Sequence, residues 1–99
     1  MAEVLLCFHC ASADAEAIAE ALRGVAQAPV HIRDERVLGR DFSDAGTGEQ
    51  VLATLRRSAV ELVVDEAMRA SLVAAVECAR RRWPVRWLAT PVSARGRIG

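Results

Sequence analysis

Three residues near the start of the chain could do metal chemistry. Cys7, His9 and Cys10 lie within one short segment, EVLLCFHC, and thiolate and imidazole donors suit Cu(I) or Zn(II). The segment reads as a strand, so Cys7 and His9 share one face and Cys10 points to the other. Three donors from a single strand do not converge easily. The competing reading is packing, because a free cysteine behaves as a small buried hydrophobe. His31, on a neighbouring strand, is a possible additional donor. Cys78, in a later helix, reads as packing.

A second set is cationic. Arg40, Arg80, Arg81, Arg82, Arg95 and Arg97 could converge on an anion in a cleft between subunits, where the planar guanidinium fork suits phosphate or carboxylate. The competing reading is solvated surface charge or ion pairs between subunits. Asp41, Asp44 and Glu49 could pair with these arginines, and their spacing matches no calcium loop. No Ser or Cys sits in a nucleophile elbow, and neither HExxH nor a phosphate-binding loop motif occurs. The expectation is a protein that is not an enzyme.

Composition limits what can hold these groups. Ninety-nine residues make one domain with a single core. Hydrophobic residues at 53% and a mean hydropathy of +0.17 argue against intrinsic disorder. A formal net charge of zero gives no electrostatic footprint for nucleic acid. No stretch reaches the roughly 18–20 apolar residues of a membrane span. The opening MAEVLLCFHC has Glu3 and no basic region, unlike a secretory signal. With three cysteines, an odd number, a disulfide framework is not expected and a reducing cytosol fits.

The elements follow from periodicity. Glu3–Cys10 is apolar on both faces, with Val4, Leu6 and Phe8 opposite Leu5, Cys7 and His9, as in a central strand. Ser12 or Asp14 can cap a helix from about Ala13 to Arg23, buried along Ala15, Ile18, Ala19 and Leu22. Gly24 is placed to end it in a left-handed conformation. Val30–Leu38 reads as an exposed edge strand whose alternation the DER triplet interrupts. Val37–Gln50 is a long polar stretch with Gly39, Gly46 and Gly48, of a length that is usually functional or disordered. Val51–Arg57 is compatible with helix or strand. Ala59–Val64 is a clear strand, and Asp65 sits where an N-cap belongs. Met68, Leu72, Val76 and Ala79 mark a second helix, with Arg80–Arg82 in its last turn and Pro84 beyond it. Val85–Val92 is the last strand, with Trp87 and Ala89 facing one way and Arg86 and Leu88 the other. A basic tail, SARGRIG, follows.

This order is a βαββαβ arrangement. It predicts an α+β, ferredoxin-like domain with both helices on one face of a four-stranded antiparallel sheet. Because the first strand is apolar on both sides, the second face of the sheet is expected to meet another subunit.

On these residues the chain resembles the PII-like superfamily of trimeric signalling proteins. AVELVVDEAMRASLVAAVECAR followed by VRWLATPV carries the register of the family's strand, acidic helix start, helix and last strand. VLGRDF, with Gly39 and Arg40, resembles the entry to its T-loop. TPVSARGRIG is similar to a subgroup of small PII-like proteins associated with heavy-metal efflux pumps and related to CutA. The resemblance implies a homotrimer and one long strand from Val51 to Val64. It also implies a loop, including Gly39, Arg40, Asp41, Phe42 and Asp44, that binds a partner such as an efflux transporter. Nucleotide, where such proteins bind it, lies between subunits against the turn after the second helix. Here that turn reads RRRWP rather than a glycine-rich phosphate cradle. Neither nucleotide nor metal ion is specified as a ligand. The leading expectation is a cytoplasmic trimeric regulator. The alternatives are a Cu- or Zn-buffering protein using Cys7, His9 and Cys10, and an interaction module with no small ligand.

Overall fold

Alternation along the first strand decides where the core lies. The structure is a computed structural model and describes residues 2–38 and 55–99. Strand β1, Glu3–Ala11, sends Val4, Leu6, Phe8 and Cys10 to one side, and all four are buried. A single 3-10 turn, Ser12–Asp14, leads into helix α1, Ala15–Arg23. This helix lays Ala15, Ile18, Ala19 and Leu22 onto that side of the sheet. Strand β2, His31–Val37, and strand β3, Leu55–Asp65, pair antiparallel. A second 3-10 turn, Glu66–Met68, precedes helix α2, Arg69–Cys78, and strand β4, Arg86–Val92, closes the fold.

The sheet order is β2-β3-β1-β4, with β1 antiparallel to both β3 and β4. The architecture is therefore ferredoxin-like, with β1 and β3 at the centre. Val60, Leu62 and Val64 of β3 join Phe8, Leu6, Ile18, Leu22, Leu72 and Val76 in one core. Removing this apolar surface from water is the main favourable term in folding. Both helices lie on that side. The opposite side, with Leu5, Cys7 and His9 of β1 and Ala59, Glu61 and Val63 of β3, carries no helix among the described residues.

Several local expectations need correction. Gly24 is right-handed (φ −70°, ψ −18°), and its N–H bonds the Glu20 carbonyl, so no left-handed turn ends α1. Helix α2 ends at Cys78, because Ala79 turns extended at φ −68°, ψ 149°. Ala79 and Arg80–Arg82 therefore lie beyond the helix, not in its last turn. Arg81 instead folds back, donating from Nε to the Val76 carbonyl at 3.4 Å and from Nη1 to the Trp83 carbonyl at 3.2 Å. Cys78 is exposed rather than packed, since it lies on the opposite side of the helix from Leu72 and Val76. Asp65 does cap its turn, accepting from the Ala67 N–H at 2.9 Å. From Leu55 onward the ambiguous segment is strand, while 51–54 and the loop residues Gly39, Arg40, Asp41, Phe42 and Asp44 lie outside the described residues.

Candidate functional site on the open face of the sheet

Strand pairing places the open-face side chains in rows. Cys7 stands opposite Glu61 on β3 and Leu88 on β4, and Glu61 stands opposite His31 on β2. His9 stands opposite Ala59 and Arg86, and Ala59 stands opposite Arg33. Cys7 and His9, two apart on a strand, project on the same side. Their Sγ and Nε2 atoms are 3.6 Å apart. His9 Nδ1 lies 2.6 Å from Glu35 Oε1. A carboxylate oxygen only accepts, so Nδ1 carries the proton of this bond, and in the neutral ring Nε2 turns its lone pair to the thiol.

Cys7 and Cys10 are both buried but face opposite sides. Cys10 has no exposed surface, lies in the core, and its thiol bonds the Ser58 carbonyl at 3.5 Å. Burial pushes both thiols up to about 11, and at Cys7 the neighbouring Glu61 carboxylate adds to the effect. Glu61 is itself held by Arg33, whose guanidinium keeps the Glu61 carboxyl below its usual range. Among the described residues no three His, Cys, Asp or Glu side chains form a group that could hold a metal ion. The structure thus brings Cys7 and His9 together and leaves Cys10 on the other side of the sheet.

Among the described residues the candidate arginines do not meet. Arg80–Arg82 precede β4, at the end of the sheet where β1 finishes. Arg95 follows β4 at the other end, in a two-bond pair with Glu3 of 2.9 and 2.7 Å. This pairing lowers the Glu3 carboxyl from its ordinary value. Arg97 is exposed in the tail, and Arg40 lies outside the described residues. Of the candidate arginines among the described residues, only Arg80–Arg82 lie at the end of the sheet where Val37 pairs with Leu55.

The turn after α2 is nevertheless a cradle for negative charge. The backbone N–H groups of Arg82 and Trp83 both point at the carboxylate of Asp14, which is 4% exposed. The anion they hold is part of the chain. Arg57, 3% exposed, donates from Nη2 to the His9 carbonyl at 3.1 Å. Buried Ser58 lies 3.3 Å from Asp34 Oδ1, to which it donates, and 3.0 Å from the Ser12 hydroxyl.

The sequence alone does not mark Glu35, Glu61, Arg57 or Asp14 for these roles. Glu35 had a usable signal. With Ile32 facing the core, His31, Arg33 and Glu35 fall on the open face by period-two alternation. Asp14 in the turn and buried Arg57 had none, because each is defined by a partner distant in sequence.

The class defined by this topology is the small ferredoxin-like α+β domain, and solved structures agree. A DUF3240 family protein from Shewanella baltica superposes with a TM-score of 0.75 at 16% identity, covering 98% of this chain and 97% of its own. A functionally unknown protein from Pediococcus pentosaceus gives 0.67 at 10% identity, with 99% of each chain covered. A Bacillus cereus protein related to NIF3 gives 0.71 at 11% identity over 97% of this chain, which spans only 26% of that protein's length. Identities this low carry the fold alone. No family model matches the chain, and no curated protein matches it by sequence.

Proposed function

We propose that the protein is a non-enzymatic, PII-like regulator of the cytoplasm. It assembles as a homotrimer through the open face of its sheet and acts on a partner protein through the segment around residues 37–50. The partner class that fits the sequence resemblance is a heavy-metal efflux transporter. The observation that carries the reading is the one-sided placement of both helices. It leaves a sheet face with Leu5, Val63 and Leu88 among its residues, and Leu88 is 48% exposed. Apolar surface of this kind is expected to be covered in the working assembly.

Light scattering or sedimentation on the purified chain tests the assembly. The expected mass is three times the 10.7 kDa of one chain. A stable monomer would remove the interface between subunits and the reading with it. Calorimetry against adenine nucleotides then tests for a small ligand. The cradle after α2 is already filled by Asp14, so no phosphate-driven binding is expected there.

A further inference from the structure

We infer that the segment 93–99 of one copy docks on the helix side of a neighbouring copy, with Ile98 seated in the groove between α2 and β4. Phe8 of β1, Val73 and Val76 of α2, Val85, and Trp87 of β4 line this groove, whose volume is about 130 Å³. Trp87 is left 42% exposed there. A space of this order takes one small apolar group, as cavities of about 150 Å³ take benzene. Two charged residues also line it, Glu77 and Arg81. The Arg81 guanidinium is turned to the carbonyls of Val76 and Trp83. Glu77 is exposed and has no bonding partner among the described residues. The groove therefore suits an apolar side chain that arrives with a cation beside it.

The segment after β4 carries that combination. Residues 93–99 are exposed throughout, and two bonds from Arg95 to Glu3 fix where the segment leaves the sheet. Beyond Arg95 the backbone touches little, since a Cβ built on Gly96 or Gly99 would meet nothing within 4 Å. Ile98 is fully exposed, and Arg97 has no partner among the described residues. An isoleucine gains by leaving water. The arginine beside it can lay its stem along apolar surface and carry its charged head to the Glu77 carboxylate at the rim. Knob and groove thus match in size, and the two unpaired charges match in sign.

Reach assigns the contact to a second copy. Arg95 is tied to Glu3 and lines a hollow with Leu5, His31 and Val63 on the open face. The groove lies on the other face, at the level where Phe8 pairs with Trp87. Phe8 is five residues along β1 from Glu3, about 17 Å at roughly 3.3 Å per residue. Ile98 is three residues past Arg95 and reaches about 10 Å when fully extended. A chain whose Arg95–Glu3 pair is intact cannot fill its own groove. Segment and groove are different surfaces, so the contact is heterologous and passes from copy to copy until a ring closes. It needs neither an efflux partner nor the open face as an interface.

The test replaces Ile98 in the full chain with a photo-crosslinking amino acid and separates the irradiated products under denaturing conditions. Covalent products of two or more chains are expected, with position 98 joined to residues 73–87 by mass spectrometry. Their yield should fall on dilution. Crosslinks within one chain, crosslinks to other surfaces, or none at all would each overturn the docking. Arg97→Glu and Glu77→Arg alter exposed side chains and should not disturb folding. Each alone should lower the crosslinking yield several-fold, and the two together should restore it. A yield indifferent to both reversals, or not restored by the pair, overturns the proposed contact. The mass of the wild-type assembly judges the trimer separately. A trimer without the crosslink defeats only the docking, while crosslinked chains that assemble in another number defeat only the trimer.

Discussion

Asp14 and Trp83 stand 69 positions apart in the chain and are joined by a hydrogen bond of 3.1 Å from the Trp83 backbone N–H to Oδ2. Arg82 adds its N–H at 3.1 and 3.2 Å to the two carboxylate oxygens. Asp14 stands where it could cap its own helix, but its side chain makes no cap bond there. Instead it closes the turn between α2 and β4. The two crossovers of the fold are tied together at this point.

Asp14→Ala leaves both N–H groups without their acceptor. A buried, charge-assisted group of this kind is worth about 1–3 kcal/mol. Urea denaturation should show a lower midpoint with an unchanged slope. Asp14→Asn keeps one acceptor oxygen and should lose less.

The two faces of the sheet should respond differently to truncation. Phe8 has no exposed surface, and Phe8→Ala should cost about 3–5 kcal/mol, through lost transfer energy and the cavity left behind. Leu88, on the opposite face, is 48% exposed, so Leu88→Asp should leave the helical and strand content of the chain intact. Under the assembly proposed above, its effect is a fall in the mass seen by light scattering.

The three thiols should separate by reactivity. Native alkylation at neutral pH should label Cys78 quickly, and Cys7 and Cys10 only after denaturation, as mass spectrometry can count. The same burial gives an alkaline limit to stability. Folded Cys7 and Cys10 hold their protons to about 11, against 9.0 for the ordinary thiol. Between these values the unfolded chain has released protons that the folded chain keeps. Stability should therefore be intact below about 9 and fall as pH rises towards about 11. Cys10→Ala should lessen that fall.

At the acid end the relevant pair is Glu3 with Arg95. Arg95 holds the Glu3 carboxyl below its ordinary value. The stabilisation is present above the ordinary carboxyl range and is lost as pH falls through the lowered folded value. The pair is exposed, so salt should weaken it. Melting temperatures of wild type and Arg95→Ala should differ slightly at neutral pH and low salt, and converge in acid.

Much of the fold was legible in the sequence because its signals are local. The period-two run of Val4, Leu6 and Phe8, the helical spacing of Ile18 and Leu22, and Asp65 at its turn each depend on near neighbours. The expectations that failed depend on remote ones. Three arginines after Cys78 look like a helix C-terminus until Asp14 takes the N–H groups that would otherwise leave the turn unfixed. The DER triplet looks like an interruption until β3 pairs beside it, when Glu35 supports His9 and Arg33 holds Glu61. The candidate site was half legible. Cys7 and His9 were found by type and alternation, whereas Glu35 depends on a strand register that β1 alone does not contain.

The sheet order also bears on how the chain can begin to fold. Within the first 38 residues, β1 and β2 share no hydrogen bond, because the position between them belongs to β3. A growing chain that has released only this half lacks the strand with which both β1 and β2 pair in the native sheet. No native strand pairing can form until residues 55–65 arrive. β3 then offers one flank to β2 and the other to β1. The middle of the gene therefore sets the moment at which the protein first acquires a sheet.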